Sequence, residues 1–382
     1  ASPNGTGRYY DGRNLAASGP VVVVTLNYRL GALGFLAHPA LATADGYMGN
    51  YGLLDQLEAL RWIQRNIKSF GGDPDRVMVF GQSAGAIDLS ALLVSPLSKG
   101  LFSRAAMQSG VCTIVSADSA EHTARQVQSL VGAGDASDVA AALRAVPAEI
   151  LVRLPGASVA SNNSLGLEFG PVLDRHLLPA SPLAAIRRGT HMHMPILMGT
   201  TSEEYVPDWL VELVAGAQVR TEHEYILATE RLWGAGAASV RRVYSAARYA
   251  SAQDALAEAL SDALMCAPTR RFARALAEAQ CEPVWCYVFD RPGASGRAGH
   301  GDDIPFIFQS CAVPDDGQDL AMQMAKYWTT FAATGNPNHN AAPAWPQYSA
   351  LRDRVLLIAR EIGVAERFRS RMLDLWDAAD AG

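Results

Sequence analysis

An apolar run, a serine between two glycines and a helical stretch follow one another in residues 76–94. RVMVFG (76–81) is typical of a buried strand, GQSAG (81–85) matches the pattern G-x-S-x-G, and the stretch through ALLVSPLS predicts a helix. A sharp turn from a strand into a helix displays its serine at the end of an α/β sheet, where the first helical N–H groups favour negative charge. This context favours Ser83 as a nucleophile and the backbone N–H of Ala84 as an oxyanion donor. The alternative is a serine that only fills a tight turn.

Short apolar runs alternate with helical stretches along the chain. Residues 53–70 have apolar side chains at helical spacing and end at Gly71 and Gly72, and 205–280 is mostly helical sequence. The runs predicted as strands are 20–29, 76–81, 104–110, 194–201, 284–290 and 355–361. The sequence therefore predicts one α/β domain over residues 1–382, with a mostly parallel sheet, helices on both faces and a helical excursion over roughly 205–280.

Composition and charge exclude several functional classes. The 382 residues carry a net charge of −6 with both signs interspersed, so no basic patch favours nucleic acid. The longest apolar runs, such as VVVV at 21–24, are too short to span a bilayer. Five cysteines, without metal-ligand spacing, favour free thiols in the cytoplasm. A disulfide between Cys281 and Cys286 is the alternative to free thiols at these two positions. Export is the alternative to the cytoplasm, because the chain begins ASPNG without a methionine. Oligomeric state is not readable.

A serine nucleophile needs a base, and the base needs an acid that orients it. His300 is the best candidate base because it lies in the glycine-flanked loop RAGHGDDIPFIF, after the predicted strand 284–290. His339 lies in a polar NPNHN loop and is interpreted as solvated. Histidines in loops or helical stretches without a comparable setting are His38, His176, His191, His193 and His223. The spacing His191-x-His193 suggests a metal pair, but no third ligand is apparent, so no metal site is predicted.

Two adjacent carboxylates are candidates for the orienting acid. Glu203 and Glu204 follow the predicted strand MPILMG in the segment TTSEEY. Adjacent side chains point in different directions, so at most one of the two orients the base, and a solvated loop is the alternative for both. The residues alone leave this choice open.

Taken together, the segments identify a family. The chain resembles the type B carboxylesterases, which include para-nitrobenzyl esterases and cholinesterases. The matching segments, in family order, are YDGRNLAASGPVVVVTLNYRLGALGFL, GNYGLLDQLEALRWIQRNIKSFGGDPDRVMVFGQSAGA, GLFSRAAMQSG, PVLDRHLLP, MPILMGTTSEE, AGHGDDIPFIF, YWTTFAATGNPN and WPQY. The resemblance implies an α/β-hydrolase fold and a serine carboxylesterase that hydrolyses small-molecule esters through an acyl-enzyme, with neither cofactor nor metal.

The resemblance also implies roles for individual residues. Ser83 holds the place of the nucleophile and His300 that of the base. The family's acid lies five residues after the glycine that ends its strand, and counting from Gly199 gives Glu204. A buried pair that joins the family's NYR segment to its LLDQ helix corresponds to Arg29 and Asp55, in a structural role.

Three departures from the family pattern affect these expectations. Gln82 stands where many members have Glu, which removes a negative charge beside the nucleophile and disfavours cationic substrates. Tyr205 replaces the usual Gly after the acid. The H-G-G-G-type loop, which donates two oxyanion N–H groups, normally precedes YDG and has no counterpart after Ala1. We therefore expect the C-terminal larger part of a longer esterase.

Two alternatives to an active esterase follow. One is a non-catalytic binding module of the same fold, of the cell-adhesion type, and the other is an inactive part of an enzyme that lacks the oxyanion loop. Because all three triad positions are filled, the sequence favours the enzyme over the module.

Overall fold

The computed structural model describes residues 10–111, 114–154, 169–205, 208–216, 218–293, 296–309, 313–340 and 342–379. Within these residues the strands form one six-stranded sheet in which each strand lies beside the next in the sequence. The strands are β1 Met78–Gln82, β2 Arg104–Gln108, β3 Ile196–Thr201, β4 Val284–Phe289, β5 Arg354–Ile358 and β6 Ile362–Glu366. The first five are parallel and β6 is antiparallel to β5. The carboxyl ends of β1 to β5 therefore lie at one edge of the sheet.

Helices occupy most of the segments between the strands. Those before β2 are α1 Arg13–Ala17, α2 Gly31–Phe35, α3 Tyr51–Asn66 and α4 Ala84–Val94. Those between β2 and β3 are α5 Ala117–Leu130, α6 Val139–Arg144, α7 Ala148–Val152 and α8 Pro182–Arg187. Between β3 and β4 lie α9 Asp208–Ala215, α10 Glu222–Trp233, α11 Ala237–Val243, α12 Ala252–Ser261, a π-helical turn Asp262–Cys266 and α13 Ala267–Ala279. The last three are α14 Ile304–Phe308, α15 Gln318–Thr334 and α16 Ser370–Ala379.

Both faces of the sheet are covered by apolar side chains. One core cluster joins α3, α4 and α13 to the sheet, with Leu57, Leu89 and Phe272 among its buried members. The other joins α14 and α15 to the opposite face, with Phe306 and Trp328 among its members. This two-sided burial explains why the parallel strands have nearly continuous apolar sequences. The α/β-hydrolase architecture expected from the sequence is confirmed in its sheet and layers.

The structural pair between Arg29 and Asp55 is present, but its side chains are 52% and 28% exposed, so the expectation that it is buried is wrong. Arg29 Nε lies 2.7 Å from Asp55 Oδ2, and a terminal nitrogen of the guanidinium lies 2.6 Å from Oδ1. The backbone N–H of Arg29 donates to the same carboxylate at 3.0 Å. This bidentate contact fixes the segment after residue 20 against α3.

The predicted strand at 20–29 is wrong. No strand forms there in the described residues, and Val22, Val24 and Leu30 are 44%, 40% and 42% exposed. A β-branched run becomes a strand only where another strand accepts its hydrogen bonds, and among the described residues β1 pairs with β2 alone. Among the described residues, β1–α4–β2 is therefore the first unit in which a helix connects two parallel strands.

Two smaller expectations also change. The run predicted as one strand at 355–361 ends at Ile358 and turns back as β6, because Ala359 N–H bonds the carbonyl of Glu361 in a tight turn. Cys281 and Cys286 are free thiols rather than a bridge. Cys112 and Cys311 lie outside the described residues, as does the N-terminal stretch 1–9.

Candidate active site

Ser83 occupies a strained turn between β1 and α4. Its φ and ψ are 57° and −121°, a left-handed conformation that few non-glycine residues adopt. Two glycines make the turn possible. A Cβ on Gly81 would lie 2.5 Å from the backbone carbon of Gly85, and a Cβ on Gly110 would lie 2.4 Å from the carbonyl oxygen of Ser83. The first glycine of G-x-S-x-G is therefore required by the close approach of helix to strand.

The start of α4 supplies polar N–H groups beside the serine. Ala86 and Ile87 donate their N–H groups to the carbonyl of Ser83, at 2.9 and 3.0 Å. Ala84, the first residue of the helix, has no acceptor within the helix because the first N–H groups of any α-helix lack one. Its position beside Ser83 suits an oxyanion donor, which stays a prediction.

His300 and Glu204 are in direct contact. His300 Nδ1 lies 2.5 Å from Glu204 Oε2, and the carboxylate is 1% exposed. The other carboxylate oxygen accepts the backbone N–H of Thr201 at 2.8 Å. Burial by itself lowers the pKa of His300, but the charge of Glu204 and its hydrogen bond outweigh this effect, so the pKa is raised above its ordinary value. The buried carboxylate can therefore stabilise a positive imidazolium on His300, whose side chain is 18% exposed.

The structure separates the roles of the two adjacent glutamates. Glu203 Oε2 lies 3.2 Å from Nε of Arg297, which also contacts Asp254 of α12 at 2.7 Å. Glu203 is thus bound by a cation of the histidine loop, and it is Glu204 that reaches His300. Arg297 is not among the residues predicted from the sequence; its place in the segment GRAGHG, three residues before the histidine, indicates its nearness to His300 but not its partners.

The tyrosine that follows the acid is compatible with this geometry. Tyr205 is not among the non-glycine residues with positive φ, so its backbone does not require a glycine. Its N–H donates to Ser261 Oγ at 2.9 Å, and its ring packs with Val211 and Tyr225 of the helices between β3 and β4. The departure from the family pattern therefore adds a contact between the acid loop and those helices.

One expected contact is replaced by another. A hydrogen bond between Ser83 Oγ and His300, expected from the triad, does not occur in the part of the chain that the structure describes. Gln82 Nε2 instead lies 3.1 Å from His300 Nε2 and donates to it, since Nδ1 carries the proton that faces Glu204. The nitrogen that would take the proton of the serine is occupied by an amide from the residue next to it.

A second buried carboxyl lies near the base. Asp303, three residues after His300, is fully buried and accepts hydrogen bonds from Tyr287 and Gln108. Asp303 is not among the site residues predicted from the sequence, although it is one of the two aspartates beside the histidine in HGDDIPF.

The described residues contain neither a candidate metal-binding cluster nor a candidate membrane-spanning helix. In the described residues no group of three or more His, Cys, Asp and Glu side chains could hold a metal ion. His191 and His193 lie with ring centres 4.6 Å apart, and His191 Nε2 is bonded to the amide oxygen of Gln280 at 3.1 Å. Of the helices described, none has the length and apolarity needed to cross a bilayer.

Comparison with known proteins places this geometry in a family. The sequence profile described as "Carboxylesterase family" matches residues 2–376. The para-nitrobenzyl esterase of Bacillus subtilis (strain 168) is 34% identical over 373 residues, which cover 93% of this chain and 72% of that protein. The fumonisin B1 esterase of Sphingopyxis macrogoltabida is 35% identical over 379 residues, which cover 94% of this chain and 67% of that protein.

A solved structure agrees with the sequence comparison. A thermophilic PNB esterase is 32% identical and superposes with a TM-score of 0.81, over 98% of this chain and 77% of that one. The fold, the order of the motifs and the matched length agree: the chain belongs to the carboxylesterase family, of type B, and has the α/β-hydrolase fold.

Proposed function

We propose that this chain forms the active site of a serine carboxylesterase that hydrolyses small-molecule carboxylic esters through an acyl-enzyme. The observation that carries the proposal is the buried contact of 2.5 Å between Glu204 and His300 at the end of the sheet that also presents Ser83. β1, β3 and β4 are parallel, so the residues that follow them lie at the same edge of the sheet. Names of relatives such as para-nitrobenzyl esterase and fumonisin B1 esterase support ester hydrolysis.

Acylation begins at Ser83. Its Oγ attacks the carbonyl carbon of the ester while His300 Nε2 takes the proton. The N–H of Ala84 donates to the oxyanion of the tetrahedral intermediate, and the field of the α4 N-terminus adds to that stabilisation. The intermediate collapses, the ester C–O bond breaks, and the alcohol leaves with the proton from Nε2.

Deacylation repeats these steps with water. His300 Nε2 takes a proton from water, whose oxygen attacks the acyl carbon, and the proton is returned to Ser83 Oγ as the acid leaves. In both halves Glu204 stays ionised: it holds the proton on Nδ1 and stabilises the imidazolium that forms.

Gln82 has to release the base before acylation. Its amide donates to His300 Nε2 in the structure, and the same lone pair must accept the proton of Ser83. Rotation of the Gln82 side chain is the smallest motion that frees it. The uncharged amide also gives no preference for a cationic alcohol, so neutral esters are the expected substrate class.

Release of para-nitrophenol from para-nitrophenyl acetate tests the proposal. Wild type should give turnover that Ser83→Ala abolishes, while Ser239→Ala, a change at a partly exposed serine of α11, should keep it. Mass spectrometry of acid-quenched enzyme should find the acetyl group on Ser83. Equal rates in wild type and Ser83→Ala would contradict the mechanism. A folded chain that binds esters without turnover would support one of the two alternatives, the binding module or the inactive part that lacks the oxyanion loop.

A further inference from the structure

Asp303 is a buried carboxyl with one satisfied and one unsatisfied oxygen. Oδ2 accepts the hydroxyl of Tyr287 at 2.7 Å and the amide Nε2 of Gln108 at 3.1 Å. Oδ1 is buried and has no hydrogen-bond partner among the described residues. Asp303 immediately precedes α14, a position where aspartate commonly caps a helix, yet its side chain makes no capping bond. The carboxyl is directed to Gln108 and Tyr287 instead.

The side-chain amide of Gln108 also has one oxygen without a hydrogen-bond donor among the described residues. Its amide nitrogen is bonded to Asp303, but its amide oxygen Oε1 is buried without a donor in the described structure. Two acceptors therefore lack a donor on two side chains that already share one hydrogen bond, and a buried acceptor without a donor is destabilising. A proton on Asp303 Oδ1 that is donated to Gln108 Oε1 would satisfy both, because a carboxylic acid and a primary amide can form a cyclic pair through O–H···O and N–H···O bonds.

Burial favours the protonated form of Asp303. Burial raises its pKa, and the carboxylate of Glu204 raises it further, against the lowering effects of Tyr287, Gln108 and His300. Tyr10, another titratable group that interacts with Asp303, is partly buried and has a raised pKa, so it stays neutral and adds no charge.

The pair joins the two halves of the candidate active site. Gln108 ends β2, and its backbone carbonyl accepts the N–H of Ser83 at 2.8 Å. Asp303 belongs to the loop of His300, and its own carbonyl accepts the N–H of Ile307 in α14. A hydrogen-bonded link between Asp303 and Gln108 thus ties the base to the turn that carries the nucleophile.

We propose that Asp303 is a neutral carboxylic acid in a cyclic pair with Gln108, and that this pair positions His300 relative to Ser83. A neutral Asp303 leaves Glu204 as the carboxylate that sets the charge of His300. The positioning role rests on the proposed esterase function, whereas the protonation of Asp303 does not.

Infrared difference spectroscopy tests the protonation. The wild-type minus Asp303→Asn spectrum at neutral pH should contain the carbonyl band of a protonated carboxylic acid, shifted in D₂O. Asp319→Asn, which removes an exposed aspartate of α15, is the matched control and should remove carboxylate bands only. Loss of carboxylate bands alone in Asp303→Asn would overturn the proposal, since Asp303 would then be ionised and its free oxygen bonded to water.

Kinetics test the positioning. Asparagine keeps both hydrogen bonds to Gln108, so in Asp303→Asn we expect kcat to fall by no more than about threefold, with the acid limb of the pH profile unmoved. Asp303→Leu fills the space without the bonds and should lower kcat on the order of 10²-fold at a similar KM, because the base is misplaced. A shift of the acid limb to lower pH in Asp303→Asn, or equal kcat in both variants, would overturn it. If wild type shows no Ser83-dependent turnover, the proposed function fails while the infrared result stands.

Discussion

The interior and the edge of the sheet contribute to the candidate site in different ways. β3 and β4 each lie between two other strands, and all their residues are buried. The loops after them carry Glu204 and His300, which are in contact. β1 has a neighbour on one side only among the described residues, most of its residues are partly exposed, and it leads to Ser83. The half of the candidate site that holds the proposed acid and base is therefore fixed by buried strands, whereas the proposed nucleophile depends on one edge strand and the glycine contacts at its turn.

The largest expected effect lies on the interior side. Glu204→Gln keeps the shape but removes the charge that holds the Nδ1 proton and stabilises the imidazolium, so kcat should fall on the order of 10³–10⁴-fold. Glu203→Gln, its neighbour, should change kcat by less than about tenfold because it disturbs only a partly exposed ion pair. The measurement is kcat with para-nitrophenyl acetate. A larger loss in Glu203→Gln than in Glu204→Gln would show that the assignment of the acid is reversed.

Substitutions in the buried strands should lower the stability more than substitutions in the exposed run at 20–29. Leu197 of β3 is fully buried, so Leu197→Ala should cost about 2–5 kcal/mol of unfolding free energy through the cavity that it leaves. Val22 is 44% exposed, so Val22→Ala should lower the free energy of unfolding by no more than about 0.5 kcal/mol. Urea denaturation of both variants measures this. A cost at Val22 close to that at Leu197 would mean that the 20–29 run is packed in solution as the sequence predicted.

The loop that links the two glutamates to the helices should give an intermediate effect. Arg297 joins Glu203 to Asp254 of α12, so Arg297→Met should free the histidine loop and lower kcat/KM by about tenfold, about 1.4 kcal/mol. Arg297→Lys keeps the charge and should recover part of the loss. Raising the salt concentration should lower the kcat/KM of wild type toward that of Arg297→Met, because salt screens the ion pair. An unchanged kcat/KM in Arg297→Met would show that the loop is held without this ion pair.

Most of the interior could be predicted from the sequence because its signals are local. The apolar runs at β3 and β4 are bounded by turn residues, and Gly81 is required by a local contact with Gly85. The run at 20–29 has the same local signal, but a strand also needs a partner, and partners are a property of the whole sheet. The local signal is therefore sufficient where a neighbouring strand is present and misleading where it is not.

Side-chain pairing was less predictable than the fold. The choice between Glu203 and Glu204 depends on Arg297, a residue about 95 positions away, whose contacts no local pattern reveals. The same holds for Gln82, whose hydrogen bond to His300 spans 218 positions. The family resemblance selected the correct partner of His300, whereas the residues by themselves left it open.

The smallest expected effect concerns the residue between the two halves. Turnover needs a neutral His300, and its raised pKa places the acid limb of kcat/KM above the ordinary histidine value of about 6.5. Gln82→Glu puts a carboxylate beside Nε2, which favours the imidazolium, so the limb should move to higher pH by less than about one unit and activity at low pH should fall. The same charge should raise the ratio of kcat/KM for choline esters to kcat/KM for neutral isosteres by less than about tenfold. Gln82→Met removes the amide without adding charge and isolates the hydrogen bond. If the acid limb of kcat/KM moves to lower pH in Gln82→Glu, residue 82 does not face His300 in solution. The side chains at the edge strand β1 would then be placed differently from those in the structure, while the contact between Glu204 and His300 at the interior strands would stand.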